Sequence, residues 1–289
     1  MKSHRETKHK PKGIGTRKPA WVIAKEQMRK TAAAQSLWLF GLHAVRGALL
    51  NPAREKLRLV ATANAARKLA DAIAMSGMTA EICDARRFTA PLDAQSVHQG
   101  VALWVRPLRW PPLETLCAPP ANPCAETAPP RILALDRVMD PHNVGAILRS
   151  AAFFGTRAVI SPARHSPAET GALAKAASGA LETQPYLRLR NLADALEQLR
   201  ALGYLVAGLD GKATLTLADT MGEYQASPLV LVLGAEAAGL RHRTQQTCDR
   251  ILRIGGARGG DSLNVSNAAA VALYEAGRRA HTTKQAPPP

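Results

Sequence analysis

Residues Leu229–Gly234 read LVLVLG, a short apolar run that ends in a glycine. Similar runs occur at Arg131–Leu135, Ala158–Ser161, Tyr204–Leu209 and Arg250–Ile254. Stretches with helical spacing separate several of these runs, at Val144–Phe154, Ala168–Ala177, Leu192–Leu202 and Val265–Gly277. Short apolar strands that alternate with helices are typical of a parallel sheet with helices on both faces. The sequence therefore predicts an α/β domain over residues 131–281.

A smaller α/β domain is predicted upstream, over residues 36–108. Its predicted strands are Lys56–Ala61, Ala80–Cys83 and Val101–Val105, and its predicted helices are Gly41–Leu50 and Ala65–Met75. Between the two domains, positions 107–130 hold eight prolines. Proline lacks an amide donor and fixes φ, so we expect residues 109–130 to be a linker without helix or strand.

Charge is the strongest feature of the composition. The 289 residues carry a formal net charge of +16, which favours a polyanionic partner, either nucleic acid or an anionic membrane surface. Residues 1–30 hold ten Lys and Arg and two acidic residues. This segment therefore carries half of the chain's net positive charge. Residues 1–35 are therefore predicted to be a basic disordered tail, and 282–289 a second disordered tail.

The compartment is predicted from what the sequence lacks. No apolar run approaches the roughly 18 residues of a membrane span. The basic N-terminus has no apolar core behind it, as a secretory signal would have. The four cysteines show neither a C-x-x-C pair nor zinc-ligand spacing, so we expect free thiols, a reducing, cytoplasmic compartment and no metal.

Polar residues and glycines follow several predicted strands, where ligands of parallel sheets bind. Asn143 and Arg149 follow the strand at 131–135, Glu236 follows Gly234, and Ser262 and Asn264 follow the glycine-rich stretch 255–260. Each group alone also fits a capped helix start, and Arg149 alone fits an exposed surface arginine. The glycine-rich stretch has neither Walker nor dinucleotide-binding spacing.

Taken together and in order, these stretches form a specific pattern. The sets N-x-G-x-x-x-R-S (143–150), L-G-x-E-x-x-G-L (233–240) and S-L-N-V-S (262–266) resemble the three signature motifs of the SpoU/TrmH family. This family comprises RNA ribose 2'-O-methyltransferases of the SPOUT class. The stretch KAASGALE (175–182) is also similar to a family sequence, and residues 36–108 resemble its N-terminal substrate-binding domain.

The resemblance implies a fold and a cofactor. The C-terminal domain would be a SPOUT methyltransferase domain tied into a deep trefoil knot, active as a homodimer. The N-terminal domain would be an RNA substrate-binding domain similar to ribosomal protein L30e. S-adenosylmethionine would bind in the knot, largely through backbone groups. The residues implied in cofactor binding are Leu209, Gly211, Leu233, Gly234, Gly239, Ile254 and Leu263.

The resemblance also implies catalytic residues, which are Arg149, Asn143, Glu236, Ser262 and Asn264. Because an arginine side chain stays protonated at neutral pH, we expect Arg149 to orient the ribose-phosphate and stabilise the developing alkoxide. A phosphate-assisted deprotonation stays open. Gly255, Gly256 and Asn267 depart from the family pattern, which leaves the pocket's detailed shape open.

The expected substrate is RNA, and the expected product is a 2'-O-methylated guanosine in 23S rRNA. The same chemistry on tRNA is an alternative, although the simplest tRNA members lack the N-terminal domain. A non-catalytic RNA-binding assembly factor is a third reading, against which the intact motif residues argue. An oxidoreductase is disfavoured because the dinucleotide fingerprint is missing.

Overall fold

The computed structural model describes residues 36–93, 95–118, 129–221, 227–235, 238–256 and 263–282. The predicted N-terminal tail (1–35) lies outside these ranges, as do residues 283–289 of the predicted C-terminal tail. No helix in the described part is long and apolar enough to cross a membrane. The described residues from Leu37 onward form one compact unit.

The N-terminal sheet has four strands in the order β1-β4-β2-β3, in which only β2 and β3 are parallel. Its elements are β1 (Leu37–Phe40), α1 (Leu42–Leu50), β2 (Lys56–Ala61), α2 (Ala63–Lys68), α3 (Ala70–Ser76), β3 (Ala80–Ile82) and β4 (Val101–Val105). The predicted mixture of strands and helices is present, and β1 is an additional strand. The helix predicted at Ala65–Met75 is instead two helices, because the backbone leaves the helical region at Leu69.

The second sheet has six parallel strands in the order β10-β8-β9-β5-β6-β7. Its elements are β5 (Arg131–Asp136), α5 (Pro141–Phe153), β6 (Ala158–Pro162), α6 (Gly171–Ala177), β7 (Tyr186–Leu189), α7 (Leu192–Ala201), β8 (Leu205–Leu209), α8 (Leu217–Thr220), β9 (Leu229–Gly234), α9 (His242–Thr247), β10 (Arg250–Leu252) and α10 (Val265–Thr282). The predicted parallel sheet is therefore confirmed. Strand β7 is additional, since its exposed Arg188 interrupts the apolar pattern.

Both faces of this sheet are buried. Leu133 and Leu231 belong to one apolar cluster, whereas the alternate residues Ile132 and Val230 belong to another on the opposite face. The first cluster continues into the N-terminal sheet through residues such as Leu103. Alternate burial on two faces explains why the central strands are continuously apolar in sequence.

The proline-rich stretch contains a helix, contrary to the prediction. Helix α4 (Leu113–Leu116) starts directly after Pro111 and Pro112, where missing amide donors cost nothing, since the first helical amides have no helical acceptor. Leu113 and Cys117 are buried in the second apolar cluster. The domain boundary at 109–130 remains a prediction, and part of that stretch packs into the core.

A buried arginine joins the two sheets. The Arg54 side chain is 0% exposed and forms ion pairs with Glu169 and Glu182, which lie in the second half of the chain. Asn51 also donates to the Glu182 side chain, at 2.9 Å. Burial raises the pKa of Glu169, and the neighbouring Arg54 opposes that shift. Glu182 ends the family-like stretch 175–182, which therefore forms the contact between the sheets.

Gly145 lets α5 pack closely on α6. A Cβ atom added there would lie 2.4 Å from the Cβ of Ala176 and 2.7 Å from its carbonyl carbon. Neither contact is possible without moving the helix backbone. This close approach fixes the position of α5, the helix that carries Asn143 and Arg149.

Gly145→Ala should lower the free energy of unfolding by about 2 kcal/mol, because the added methyl overpacks the α5–α6 contact. The matched control is Gly277→Ala, another helical glycine, whose added Cβ meets no atom within 4 Å. That variant should be stabilised by up to about 1 kcal/mol through helix propensity. Urea unfolding of both variants tests this, and equal shifts would contradict it.

Candidate active site

The carboxyl ends of the six parallel strands meet at one edge of the second sheet. The chain leaves β5 toward β6 and β7, and it later returns to place β9 on the other side of β5. This is the reversal point at which open α/β sheets bind their ligands. At this edge Leu209 of β8 lies in register with Leu233 of β9, and Asp136 of β5 lies beside Gly234.

Segments after β8, β9 and β10 pack against one another at this edge. The chain after β9 folds back, because the Gly239 amide donates to the Ala235 carbonyl at 2.8 Å. A Cβ on Gly234 would lie 2.2 Å from the carbonyl carbon of Gly239. We call residues 238–241 the folded-back segment. Gly239 has a φ of 61°, which favours glycine. The Leu217 amide after β8 donates to Arg253 after β10, at 2.8 Å.

Most predicted cofactor-binding residues lie at this edge. Each is at, or within two residues of, the end of β8, β9 or β10, apart from Gly239 in the folded-back segment and Leu263. A Cβ added to Gly211 would meet no atom within 4 Å, so that backbone faces open space. Leu263, by contrast, precedes α10 and is 49% exposed.

Asp136 fastens the folded-back segment, a role that the sequence analysis missed. Its carboxylate is fully buried and accepts from the Arg241 side chain at 2.7 Å and from the Arg241 amide at 2.9 Å. A buried carboxylate is costly unless it is paired in this way. The signal in the sequence was an aspartate that directly follows an apolar strand.

Asn143 and Asn264 come together, although 121 residues separate them. The side-chain Nδ2 of Asn264 donates to the side-chain oxygen of Asn143 at 3.0 Å. The Asn264 oxygen accepts from the amide and the hydroxyl of Ser266. Asn143 lies in the first turn of α5 and is not its cap, since Asp140 occupies the N-cap. Two of the three motifs therefore share one site.

Arg149 lies further along α5, where its side chain is exposed. At six residues from Asn143, it does not share the face on which the two asparagines meet. Glu236 and Ser262, the other two predicted catalytic residues, lie outside the described residues.

The thiols of Cys117 and Cys248 are poor candidates for chemistry. Burial raises the pKa of Cys248 to about 12, and nearby Asp249 and Asp136 add to the shift. Burial likewise raises the pKa of Cys117 to about 11. Both thiols stay protonated at neutral pH and are weak nucleophiles. Within the described ranges, no three His, Cys, Asp or Glu side chains are grouped as a metal site requires.

Comparison with known proteins identifies the family. The sequence profile described as the SpoU rRNA Methylase family matches residues 130–274. This chain belongs to that family. A 23S rRNA (guanosine-2'-O-)-methyltransferase RlmB from a Burkholderia species is 44% identical over 197 residues, which cover 68% of this chain and 76% of the relative. The RlmB of Pseudomonas putida is 36% identical, over 83% and 96% of the two chains.

A solved structure shares the fold. The SpoU methyltransferase AviRb from Streptomyces viridochromogenes, solved in complex with AdoMet, matches with a TM-score of 0.69 at 23% identity, over 87% of this chain and 92% of that one. The prediction of an RNA 2'-O-methyltransferase of the SpoU family is confirmed by the family match. The knot, the likeness to L30e and the roles of single site residues stay predictions.

We expect Asp136→Asn to loosen the folded-back segment, because Arg241 loses a charged partner worth about 2 kcal/mol. Hydrogen exchange of the Gly239 and Arg241 amides should then be at least about tenfold faster. The control is Asp194→Asn, which removes a half-exposed partner of Arg243 and should leave these amides unchanged. Unaltered exchange in Asp136→Asn would show that its carboxylate does not hold the segment.

Proposed function

We propose that this SpoU-family enzyme transfers a methyl group from S-adenosylmethionine to the ribose 2'-oxygen of a guanosine in 23S rRNA. The observation that best supports this proposal is the 36% identity to the Pseudomonas putida 23S rRNA methyltransferase over 96% of that relative's length. The large positive charge fits a polyanionic substrate. With an rRNA substrate and free thiols, the cytoplasm is the proposed location.

The glycine-rich edge suits a nucleoside-containing cofactor, and AviRb was solved in complex with the cofactor AdoMet. Leu209 and Ile254 are half-buried and offer apolar surface, and Gly211 and Gly239 offer backbone that a ligand can approach. Leu233 is buried, so it would contribute backbone groups. The folded-back segment, fastened by Asp136, would close over this surface. We propose that these residues, together with Gly234 and Leu263, hold the cofactor, which supplies a methyl group on a positively charged sulfur.

The substrate ribose would lie on the α5 side of this edge. We propose that Asn143 and Asn264 orient the ribose and the cofactor. Their side chains are hydrogen-bonded to each other. The guanidinium of Arg149 would bind the adjacent phosphate and stabilise charge that develops on the 2'-oxygen. Glu236 and Ser262 are proposed to complete the positioning.

A knot and an RNA-binding role for residues 36–108 are also proposed. Support for the knot is the family membership together with the hydrogen bonds between the segments after β8 and β10. Support for RNA binding by the N-terminal sheet is its Arg54-mediated attachment to the methyltransferase domain, which would hold bound RNA at a fixed distance from the site.

The activity is tested by incubating the full chain with unmodified rRNA and tRNA and labelled S-adenosylmethionine, followed by mapping of the labelled ribose. Label on one guanosine of 23S rRNA is expected. Label on tRNA alone would replace the substrate assignment. Tight RNA binding without any methylation would overturn the enzymatic reading in favour of an assembly factor.

Arg149→Ala should reduce kcat by roughly 100-fold or more, because it removes charge stabilisation at the reacting oxygen. Cofactor affinity measured by isothermal titration should change little. Arg46→Ala, which removes an exposed arginine on α1, serves as the control and should leave both quantities unchanged. Parallel loss of cofactor binding and turnover in Arg149→Ala would contradict the proposed role.

A homodimer is also proposed, with the joined helices α5 and α10 at its interface. These helices pack together and carry exposed apolar side chains, with Phe153 83% and Tyr274 57% exposed. Phe153→Arg should shift the sedimentation coefficient toward the monomer's. Met75→Arg, an equally exposed apolar residue on α3, should not. A monomeric wild-type chain at micromolar concentration would refute the dimer.

A further inference from the structure

The carboxyl edge of the second sheet has two chemically different halves. The half formed by β8, β9 and β10 carries the glycines and leucines described above. The other half, formed by β5, β6 and β7, ends each strand with an arginine. Arg137 directly follows β5, Arg164 comes two residues after β6, and Arg190 directly follows β7. We call these three residues the arginine row.

Strand register places the arginine row along one line. The Ala163 amide donates to the Leu189 carbonyl at 2.7 Å, so Arg164 and Arg190 each follow one member of a hydrogen-bonded pair. Arg188 supports this turn by donating to the Ala163 carbonyl. Because neighbouring strands lie about 4.8 Å apart, the three strand ends span roughly 10 Å.

No carboxylate of the described residues neutralises the arginine row. All three side chains are exposed, and none forms an ion pair with a carboxylate in the part of the chain that the structure describes. Seven other arginines do form such pairs, among them Arg46 and Arg200. The nearby Glu169 is already paired with Arg54, and Asp136 with Arg241. Positive charge is therefore left available at this half of the edge.

Arg137 also holds an unfavourable backbone conformation. Its φ is 65°, a region that favours glycine, and only Gln99 and Ser178 share a positive φ among the described residues other than glycine. A charged side chain at a position that suits glycine suggests that the guanidinium itself is used.

We propose that the arginine row binds consecutive phosphates of the RNA strand that carries the reacting ribose. The proposal rests on the proposed function, and it assigns the substrate backbone to the β5–β7 half and the cofactor to the β8–β10 half. Guanidinium groups bind phosphate through two parallel hydrogen bonds, which suits a row of arginines to a phosphate chain. The open, linear placement fits an extended polyanion better than a small enclosed anion.

The experiment compares two double variants that remove the same charge. Arg164→Gln/Arg190→Gln alters the arginine row, and Arg200→Gln/Arg243→Gln alters exposed, ion-paired arginines on α7 and α9. Affinity for transcribed 23S rRNA is measured between 50 and 300 mM KCl. The row variant should bind roughly tenfold more weakly at about 150 mM salt, with a log–log salt slope reduced by about 1.5. The control variant should stay within about twofold.

Further measurements separate this proposal from the proposed function. Arg164→Lys/Arg190→Lys should keep the salt slope, because charge is retained, and Arg137→Gly should reduce it by about 1. S-adenosylmethionine affinity should be the same in all variants. If the row and control variants bind RNA with equal affinity and equal salt slope, the proposal that the arginine row binds the RNA backbone is wrong, even if 23S rRNA is methylated. Lost affinity in the row variant alone would uphold it, even if the wild type methylates no RNA.

Discussion

The structure depends on one buried arginine placed between two carboxylates. Arg54 lies in the loop that leads into β2 of the N-terminal sheet, whereas Glu169 and Glu182 come from the loop before α6 and the turn after it. Removing one member of a buried ionic group leaves the others unpaired in a low-dielectric interior, which costs several kcal/mol. The geometry that satisfies all three charges thus restricts how the two sheets can be arranged. The fixed arrangement sets where RNA held by the first sheet would meet the second.

In the second sheet, the order of the parallel strands separates two surfaces of different chemistry. Six parallel strands bring their carboxyl ends to one edge, and the reversal between β9 and β5 divides that edge in two. One side combines glycines with a segment fastened by Asp136, and the other presents three arginines that form no ion pair within the described ranges. A methyl donor and a polyanion make opposite demands on a surface, one for close backbone approach and one for exposed charge. On the proposed assignment, separate strands would meet these two demands.

Much of this could be read from the sequence because central strands of a parallel sheet are apolar on both faces. Strand β9 was predicted residue for residue, whereas β7 was missed because Arg188 breaks the apolar run at the sheet edge. Helix α4 differs from the prediction because prolines disfavour a helix around themselves but allow one that starts directly after them. The family motifs assign Asn143 and Asn264 to one active site, and the hydrogen bond between their side chains is seen only in the structure. The Asp136–Arg241 pair joins residues 105 apart and is created by the fold.

The backbone at Arg137 has an evolutionary consequence. A left-handed conformation costs a residue with a side chain about 1 kcal/mol relative to glycine. A glycine arising there would therefore stabilise the fold while it deletes a positive charge from the edge. Selection for thermostability and selection for substrate capture would act on this codon in opposite directions.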